Sequence, residues 1–235
     1  MTINTERLAQ VTTLKSGSHK PNDDANFCVM EAVAYVAGEP WSDHPACTCP
    51  VITAFMVSWN DGLPNDDDRA RLLLPLIPAL VGTRGSKALE ARRANMAADW
   101  YIRVQTPAWL RLAGLTTQAE TLEAFPEITD FAEVPALKLT LDAIRKDAAA
   151  AWTPARTSAR TSAWDAAWDA AGAAAWDAAG TAAWTAARTA AGDAAWDAAG
   201  AAAWDAAGAA LAPTVAALQE SAVDLVKRMC AETDQ

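Results

Sequence analysis

The chain has 235 residues, of which 52% are hydrophobic and 20% charged, and its 29 acidic and 19 basic residues give a net charge of -10. This is the composition of a globular protein, and it excludes wholesale disorder. The acidic balance argues against a nucleic-acid partner, because binding to a phosphate backbone needs clustered Lys and Arg.

Export and membrane insertion are not expected. The sequence has no early segment with the basic start and apolar stretch of a signal peptide, and no run of about eighteen apolar residues that predicts a membrane span. Its four cysteines lack the spacing of a disulfide framework, so a reducing compartment is the default. We therefore expect a cytoplasmic protein with no membrane partner.

The chain begins with a segment, residues 1–22, that is mostly polar and is predicted to be a loose N-terminus. A helical domain is predicted over residues 23–150. Its first helix covers 25–37, with Asp23 and Asp24 as expected caps, and ends at Gly38. Pro50 suits the first turn of a second helix, which stops before Gly62.

The middle of this domain is also predicted to be helical. The acidic run Asp66, Asp67 and Asp68 belongs at the N-terminus of a third helix, where carboxylates favour the positive end of the helix dipole. Pro75 and Pro78 then break the apolar run that follows. Further helical patterns cover about 86–104, 106–113, 117–125 and 134–151.

Residues 151–210 form a tetrapeptide repeat that keeps its register without a slip. The first position of each tetrad holds Trp, Arg or Gly, the second is mostly Asp or Thr, and the last two are almost always Ala. Because alanine is the best helix former, helix is the only regular structure that local propensity favours. The candidate binding residues in the repeat are Trp164, Trp168, Trp176, Trp184, Trp196 and Trp204.

A period of four does not keep these indoles on one side of a helix. At about 100° per residue, each tetrad advances the Trp position by about 40°, so an isolated straight helix would expose indole on every side. We therefore expect the repeat to be covered: it is surrounded, it is wrapped by partners, or it breaks near Gly180 and Gly192 into shorter helices. Two roles remain open for the indoles: they form a binding surface for protein or glycan, or they fill a helix interface opposite Ala and Gly.

The last segment, residues 211–235, is predicted to be a closing helix and tail. The whole chain is thus predicted to be all-α, a compact helical N-terminal region with the C-terminal Ala/Trp repeat packed on it as a helical segment. The apolar face of the closing helix is expected to consist of Val215, Leu218, Ala222, Leu225, Val226 and Met229.

One loop, residues 39–49, contains the best candidates for chemistry. Zinc could use His44, Cys47 and Cys49 together with Cys28, because thiolate and imidazole suit that ion. A Cys-x-Cys pair aims its thiols awkwardly for one tetrahedral ion, so no metal and no cofactor is expected.

Nucleophilic catalysis would use the same loop. Cys47 or Cys49 would be the nucleophile, with His44 as base and Asp43 as orienting group, but near neighbours in one loop cannot easily align in that way. The favoured interpretation is that His44 and Asp43 hold the loop by local hydrogen bonds before Pro45. We therefore expect no enzymatic activity.

Several segments together carry a resemblance to a known group of proteins. Residues 28–40 (CVMEAVAYVAGEP), their continuation 41–45 (WSDHP), the run 60–64 (NDGLP) and the Ala/Trp/Asp tetrads resemble repeat proteins of actinobacteria and their phages. Some members of that group are labelled immunity proteins of toxin systems. The resemblance covers most of the chain and implies a cytoplasmic, non-enzymatic helical protein that binds another protein.

Three hypotheses from different classes follow. The first is a protein-interaction module that binds a host or toxin protein. The second is a structural protein that self-associates through the Trp repeat. The third is a zinc-dependent enzyme centred on His44, Cys47 and Cys49.

Overall fold

The computed structural model describes residues 3–21, 26–130, 132, 134–152 and 211–234, with side chains to residue 148 before the repeat. All the regular secondary structure within these ranges is helical, so the described part is all-α, as predicted. In chain order the helices are α1 (Thr5–Gln10), α2 (Val29–Ala37), α3 (Pro50–Gly62), α4 (Asp66–Leu73), α5 (Ile77–Leu80), α6 (Lys87–Trp100), α7 (Thr106–Leu112), α8 (Thr116–Glu123), α9 (Val134–Trp152) and α10 (Leu211–Ala231).

Helix α2 ends where the sequence indicates but begins later. Gly38 closes it in the left-handed conformation, with φ of 74°, which glycine adopts at little cost. The N-cap is Cys28 rather than Asp23 or Asp24, so that prediction was wrong. Cys28 and Glu31 form a reciprocal capping box, in which each side chain accepts a hydrogen bond from the other residue's backbone N–H.

Prolines determine where several helices begin or break. Pro50 opens α3, and the acidic run from Asp66 opens α4 behind its N-cap Asn65; both starts confirm the prediction. Pro75 and Pro78 break the following run into a short 3-10 helix (Leu74–Leu76) and α5, also as predicted.

The predicted break near residue 105 is wrong. A π-helical turn (Tyr101–Gln105, the π turn) joins α6 directly to α7. Pro107 has no N–H to offer the carbonyl of Arg103 four residues earlier, so the normal helical ladder cannot continue. The wider π turn accommodates the proline, and the Thr106 hydroxyl donates to the Tyr101 carbonyl at 2.9 Å.

The main core forms around α3, whose Phe55 and Trp59 are buried. The ring of Phe55 packs edge-on against Trp59 and against Trp100 of α6, with centroids 5.9 and 6.0 Å apart. Helix α10 closes this core from the far end of the chain and confirms the predicted apolar face, with Val215 only partly buried. Its buried residues are Leu218, Ala222, Leu225, Val226 and Met229.

Residues 3–21, predicted to be loose, pack on the helical body. Leu14 is fully buried, and the backbone N–H of Lys15 donates to the Phe27 carbonyl at 2.8 Å. The Asn60 side chain donates to the Lys15 carbonyl at 2.8 Å, and the Gly17 N–H donates to Asp61 at 2.6 Å. Apolar burial, together with one donor and one acceptor side chain on α3, therefore holds this segment, although its polar composition did not predict this.

The C-terminal tail docks at the beginning of α6. Asp234 accepts hydrogen bonds from the backbone N–H and the hydroxyl of Ser86, the N-cap of α6. A Cβ at residue 85 would lie 2.5 Å from Leu89 Cδ2 and 3.0 Å from Asp234 Oδ2, so Gly85 leaves room for both side chains. The Asp234 side chain thus supplements the capping of α6 at the positive end of the helix dipole.

Asp234 makes this tail contact dependent on pH. Hydrogen bonds from Ser86, followed by the charges of Arg92 and Arg93, hold the pKa of Asp234 below its usual value. A depressed pKa means that the contact is complete above the ordinary aspartate value of about 3.9 and is lost as pH falls through the lower value. In an NMR titration the Ser86 amide should follow this midpoint, and Asp234→Asn should abolish the response; a Ser86 amide that titrates unchanged in the variant would contradict the contact.

The tetrapeptide repeat from residue 153 to 210 lies outside the described residues, as do the expected breaks near Gly180 and Gly192. Of the helices that are described, none has both the length and the apolar character needed to cross a bilayer.

Candidate functional site

Local hydrogen bonds organise the loop that contains the candidate zinc and catalytic residues. The His44 side chain is 67% exposed, with Nδ1 2.8 Å from Asp43 Oδ1, and the His44 N–H donates to Ser42 Oγ at 3.0 Å. Cys47 and Cys49 are buried instead. The interpretation that His44 and Asp43 hold this loop by local hydrogen bonds is confirmed.

The thiols are also poorly suited to act as ligands or nucleophiles. Cys28 is occupied as the N-cap of α2, and burial raises the pKa of both Cys28 and Cys47, so these groups are thiols and not thiolates at neutral pH. Across the described ranges, no group of three or more His, Cys, Asp and Glu side chains is arranged to hold a metal ion. The structure therefore does not assemble His44, Cys47, Cys49 and Cys28 into one site.

We expect these cysteines to react slowly with a thiol-specific reagent such as Ellman's reagent. Burial raises the pKa of Cys230, which is partly exposed, to about 11. The smaller thiolate fraction, partly offset by the higher intrinsic nucleophilicity, predicts about 20-fold slower modification than for free cysteine at pH 8. The Cys230→Ser variant identifies the part of the reaction that is due to Cys230. Unfolding in guanidinium should make all the cysteines reactive. Modification of the native protein at the rate of free cysteine would contradict the burial.

Glu31 and His19 form a largely buried pair of acid and imidazole that was not predicted from the sequence. Glu31 is almost fully buried, and its carboxylate accepts from the Cys28 N–H at 2.7 Å and contacts His19 Nδ1 at 2.9 Å. The indole of Trp41 covers the same segment and donates to the His19 carbonyl at 2.8 Å. These contacts fasten the N-terminal segment to α2. The signal available in the sequence was the Cys-x-x-Glu spacing of a capping box.

A concave surface lies between α7 and α10, and we call it the α7/α10 groove. Its volume is about 470 Å³. The π turn and α7 form one wall, and the first three turns of α10 form the other. The lining residues are Val104, Ala108, Arg111, Leu112, Pro213, Thr214, Ala217, Leu218 and Ser221.

The groove is mainly apolar. Trp109 and Leu218 form a small buried cluster apart from the main core, and Leu211 and Val215 pack against it. The π turn presents Val104, which is 40% exposed, at the edge of the groove. An exposed aliphatic side chain beside an apolar, concave surface is typical of a contact site for another apolar group.

Two of the polar residues that line the groove, Arg111 and Ser221, already have partners. Arg111 donates two hydrogen bonds to the Glu123 carboxylate, from Nε to Oε1 at 3.1 Å and from one terminal nitrogen to Oε2 at 2.5 Å, and this pair raises the pKa of Arg111. The Ser221 hydroxyl accepts from the indole of Trp100 at 2.9 Å and donates to the Leu218 carbonyl at 3.0 Å. The groove therefore offers no unpaired cation to an anionic ligand and favours an apolar one.

Comparison of the chain with protein-family models, with curated proteins and with solved structures finds no match. The interpretation of the site accordingly depends on the chemistry of the residues themselves.

The six candidate binding residues of the repeat, Trp164, Trp168, Trp176, Trp184, Trp196 and Trp204, lie outside the described residues. Of the groove residues, the sequence singled out only Leu218, as part of the apolar face of the closing helix. The two walls of the groove are about a hundred positions apart in the chain. The one local signal of the groove was Pro107 within a helical pattern.

Proposed function

We propose that this chain is a non-enzymatic, cytoplasmic protein-interaction module that binds a host or toxin protein through the indoles of its Trp repeat. The observation that carries the proposal is the α7/α10 groove. It leaves apolar surface uncovered at the point where the repeat rejoins the described body, since Leu211 directly follows the repeat and packs beside the groove.

The repeat is proposed to pack on the helical body while it displays indoles to the partner. Both of its ends are fixed, by α9 at residue 152 and by α10 at residue 211. Six indoles spread over one tethered segment are more than a groove of this size can hold, so the remainder are available for a partner. Tryptophan is among the residues that contribute most to protein interfaces.

Two features support a binding role over catalysis. Burial raises the pKa values of Cys28, Cys47 and Cys230, which disfavours thiolate chemistry in the described part. The net charge of -10 supports electrostatic attraction to a basic partner protein, which would accelerate association.

The test is affinity capture with the tagged full-length chain from an actinobacterial lysate, followed by native mass spectrometry of the eluate. We expect a complex of fixed stoichiometry with one other protein. A bait that elutes as a monomer would overturn the proposal, and a bait that elutes only as a homo-oligomer would favour self-association through the repeat.

A further inference from the structure

We propose that the C-terminal end of α2 is a binding site for an arginine side chain of a basic partner protein, and that Arg7 of α1 occupies this site within the same chain. Helix α1 is thus an autoinhibitory lid, which the partner displaces when its arginine takes the place of Arg7. The site is formed by residues of α1 and α2, so the inference goes beyond the proposed binding through the Trp repeat.

The site consists of an aromatic ring and a backbone carbonyl. The guanidinium carbon of Arg7 lies 5.0 Å from the centroid of the Tyr35 ring, within the range of a cation–π interaction. Arg7 Nη1 also donates to the Tyr35 carbonyl at 2.9 Å. The ring of Phe27 packs against Tyr35, with centroids 5.3 Å apart, and supports the ring from a second side.

These contacts suit a guanidinium better than an ammonium group. Carbonyls at the end of a helix lie at the negative end of its dipole and attract a cation. In the part of the chain that the structure describes, Arg7 has no carboxylate partner, so the ring and the carbonyl alone recognise it. A planar guanidinium can stack on a ring and donate to a carbonyl at the same time, whereas an ammonium is a compact and strongly hydrated charge.

Helix α1 has the character of a detachable element. It is six residues long, and none of them is buried, although α1 is described from end to end. A helix this short is not stable by itself in water, so it depends on its contacts with the body. Ile3 and Leu8 are only partly buried against the core, and the first buried anchors of the segment are Val11 and Leu14. The lid can therefore open while the rest of the N-terminal segment stays attached.

The other polar contacts of the lid surround the same site. The Asn4 N–H donates to the Val36 carbonyl at 3.1 Å, and the Tyr35 hydroxyl donates to Gln10 at 2.5 Å. Because these bonds lie beside the Arg7 contact, opening of α1 breaks them together and leaves the end of α2 free. Local opening of an element with few buried contacts costs much less free energy than global unfolding.

The charge of the chain favours a basic partner. The net charge of -10 attracts cationic segments, and arginine is among the residues that contribute most to protein interfaces. Arg7 competes with the partner's arginine, so the apparent affinity is reduced to the fraction of molecules in which the lid is open. Removal of Arg7 should therefore strengthen the binding of an external arginine.

The experiment measures the fluorescence anisotropy of a labelled peptide of alternating Gly and Arg, titrated with the full-length chain. We expect Arg7→Ala to bind this peptide on the order of ten-fold more tightly than the wild type does. In the Arg7→Ala background, Tyr35→Leu should remove this gain and Tyr35→Phe should keep it, because only phenylalanine retains the ring. An Arg7→Ala variant that binds no more tightly than the wild type would overturn the inference.

Arg71→Ala is the matched control. It removes the same charge from α4, where Arg71 pairs with Asp68, and should bind the peptide as the wild type does. An equal gain in Arg7→Ala and Arg71→Ala would show that net charge alone attracts the peptide. An equal gain with a peptide of alternating Gly and Lys would refute recognition of the guanidinium.

Hydrogen exchange of the wild type provides a second readout that needs no variant. The Asn4 amide reports the closed lid, because it donates to the Val36 carbonyl. We expect the arginine peptide to accelerate exchange at Asn4 several-fold. Peptide binding that leaves Asn4 protected would place the peptide elsewhere and overturn the inference. None of these measurements uses a captured partner, so failure of the lid would not count against the Trp repeat, and failure of capture would not count against the lid.

Discussion

Replacement of Arg93 with Met is expected to lower the free energy of unfolding by about 3–5 kcal/mol. Arg93 is 1% exposed, and its Nε and one terminal nitrogen donate to the carbonyls of Met229 and Glu232 at 2.7 and 2.8 Å. Its other terminal nitrogen donates to the Thr83 carbonyl. Methionine fills most of the volume but removes the donor from the Thr83 carbonyl and from the two carbonyls at the end of α10.

The effect should appear in urea unfolding as a lower midpoint with an unchanged slope. Arg92→Ala is the control, because Arg92 lies on the same helix and binds the Thr233 carbonyl from a side chain that is 40% exposed. We expect that change to cost at most about 1 kcal/mol. Equal losses for the two variants would show that the buried position of Arg93 has no special role.

Replacement of Arg69 with Met is expected to cost a similar amount, about 3–5 kcal/mol. Its Nε and one terminal nitrogen donate to the carbonyls of Asn60 and Leu63, each at 2.7 Å, and the other terminal nitrogen pairs with Asp66. Arg69 therefore satisfies carbonyls at the end of α3, where the positive charge also complements the helix dipole. The Asn60 amide next to it holds the N-terminal segment at Lys15, so the damage should extend to that segment.

Hydrogen exchange can separate this effect from a general loss of stability. In Arg69→Met we expect the Lys15 and Gly17 amides to lose protection along with the end of α3. Arg71→Ala, which removes an exposed partner of Asp68 one turn away, should leave these amides protected. Unchanged protection at Lys15 and Gly17 in Arg69→Met would refute the coupling.

Local signals in the sequence were sufficient for most helix boundaries. Pro50, the acidic run from Asp66 and Gly38 each act on the residues directly beside them, through the geometry of a helix end. The apolar face of α10 was likewise visible, because a period of 3.6 over twenty residues is a strong pattern.

Contacts between distant parts of the chain could not be predicted in the same way. Arg93 and Arg69 look like ordinary surface residues in the sequence, and only the tertiary fold brings carbonyls around them. Leu14 was overlooked because its polar neighbours dominate the local composition. The π turn requires the helix to continue past Pro107, which depends on packing of both α6 and α7 rather than on propensity.

The candidate site was only partly accessible from the sequence. The loop with His44 and Cys47 was identified as a cluster, and its local hydrogen bonds followed from its composition. The α7/α10 groove depends on the close approach of residues near 104–112 and 213–221, for which a single sequence carries no signal.

The most direct test of the account is to repeat the partner capture with two matched variants of the repeat. One changes the six candidate residues, Trp164, Trp168, Trp176, Trp184, Trp196 and Trp204, to Ala; the other changes Thr153, Thr157, Thr161, Thr181, Thr185 and Thr189 to Ser. We expect the stoichiometric partner to be lost from the first variant and retained by the second, with both still helical by circular dichroism. Retention of the same partner by the variant without these indoles would contradict the central claim that the Trp repeat binds it.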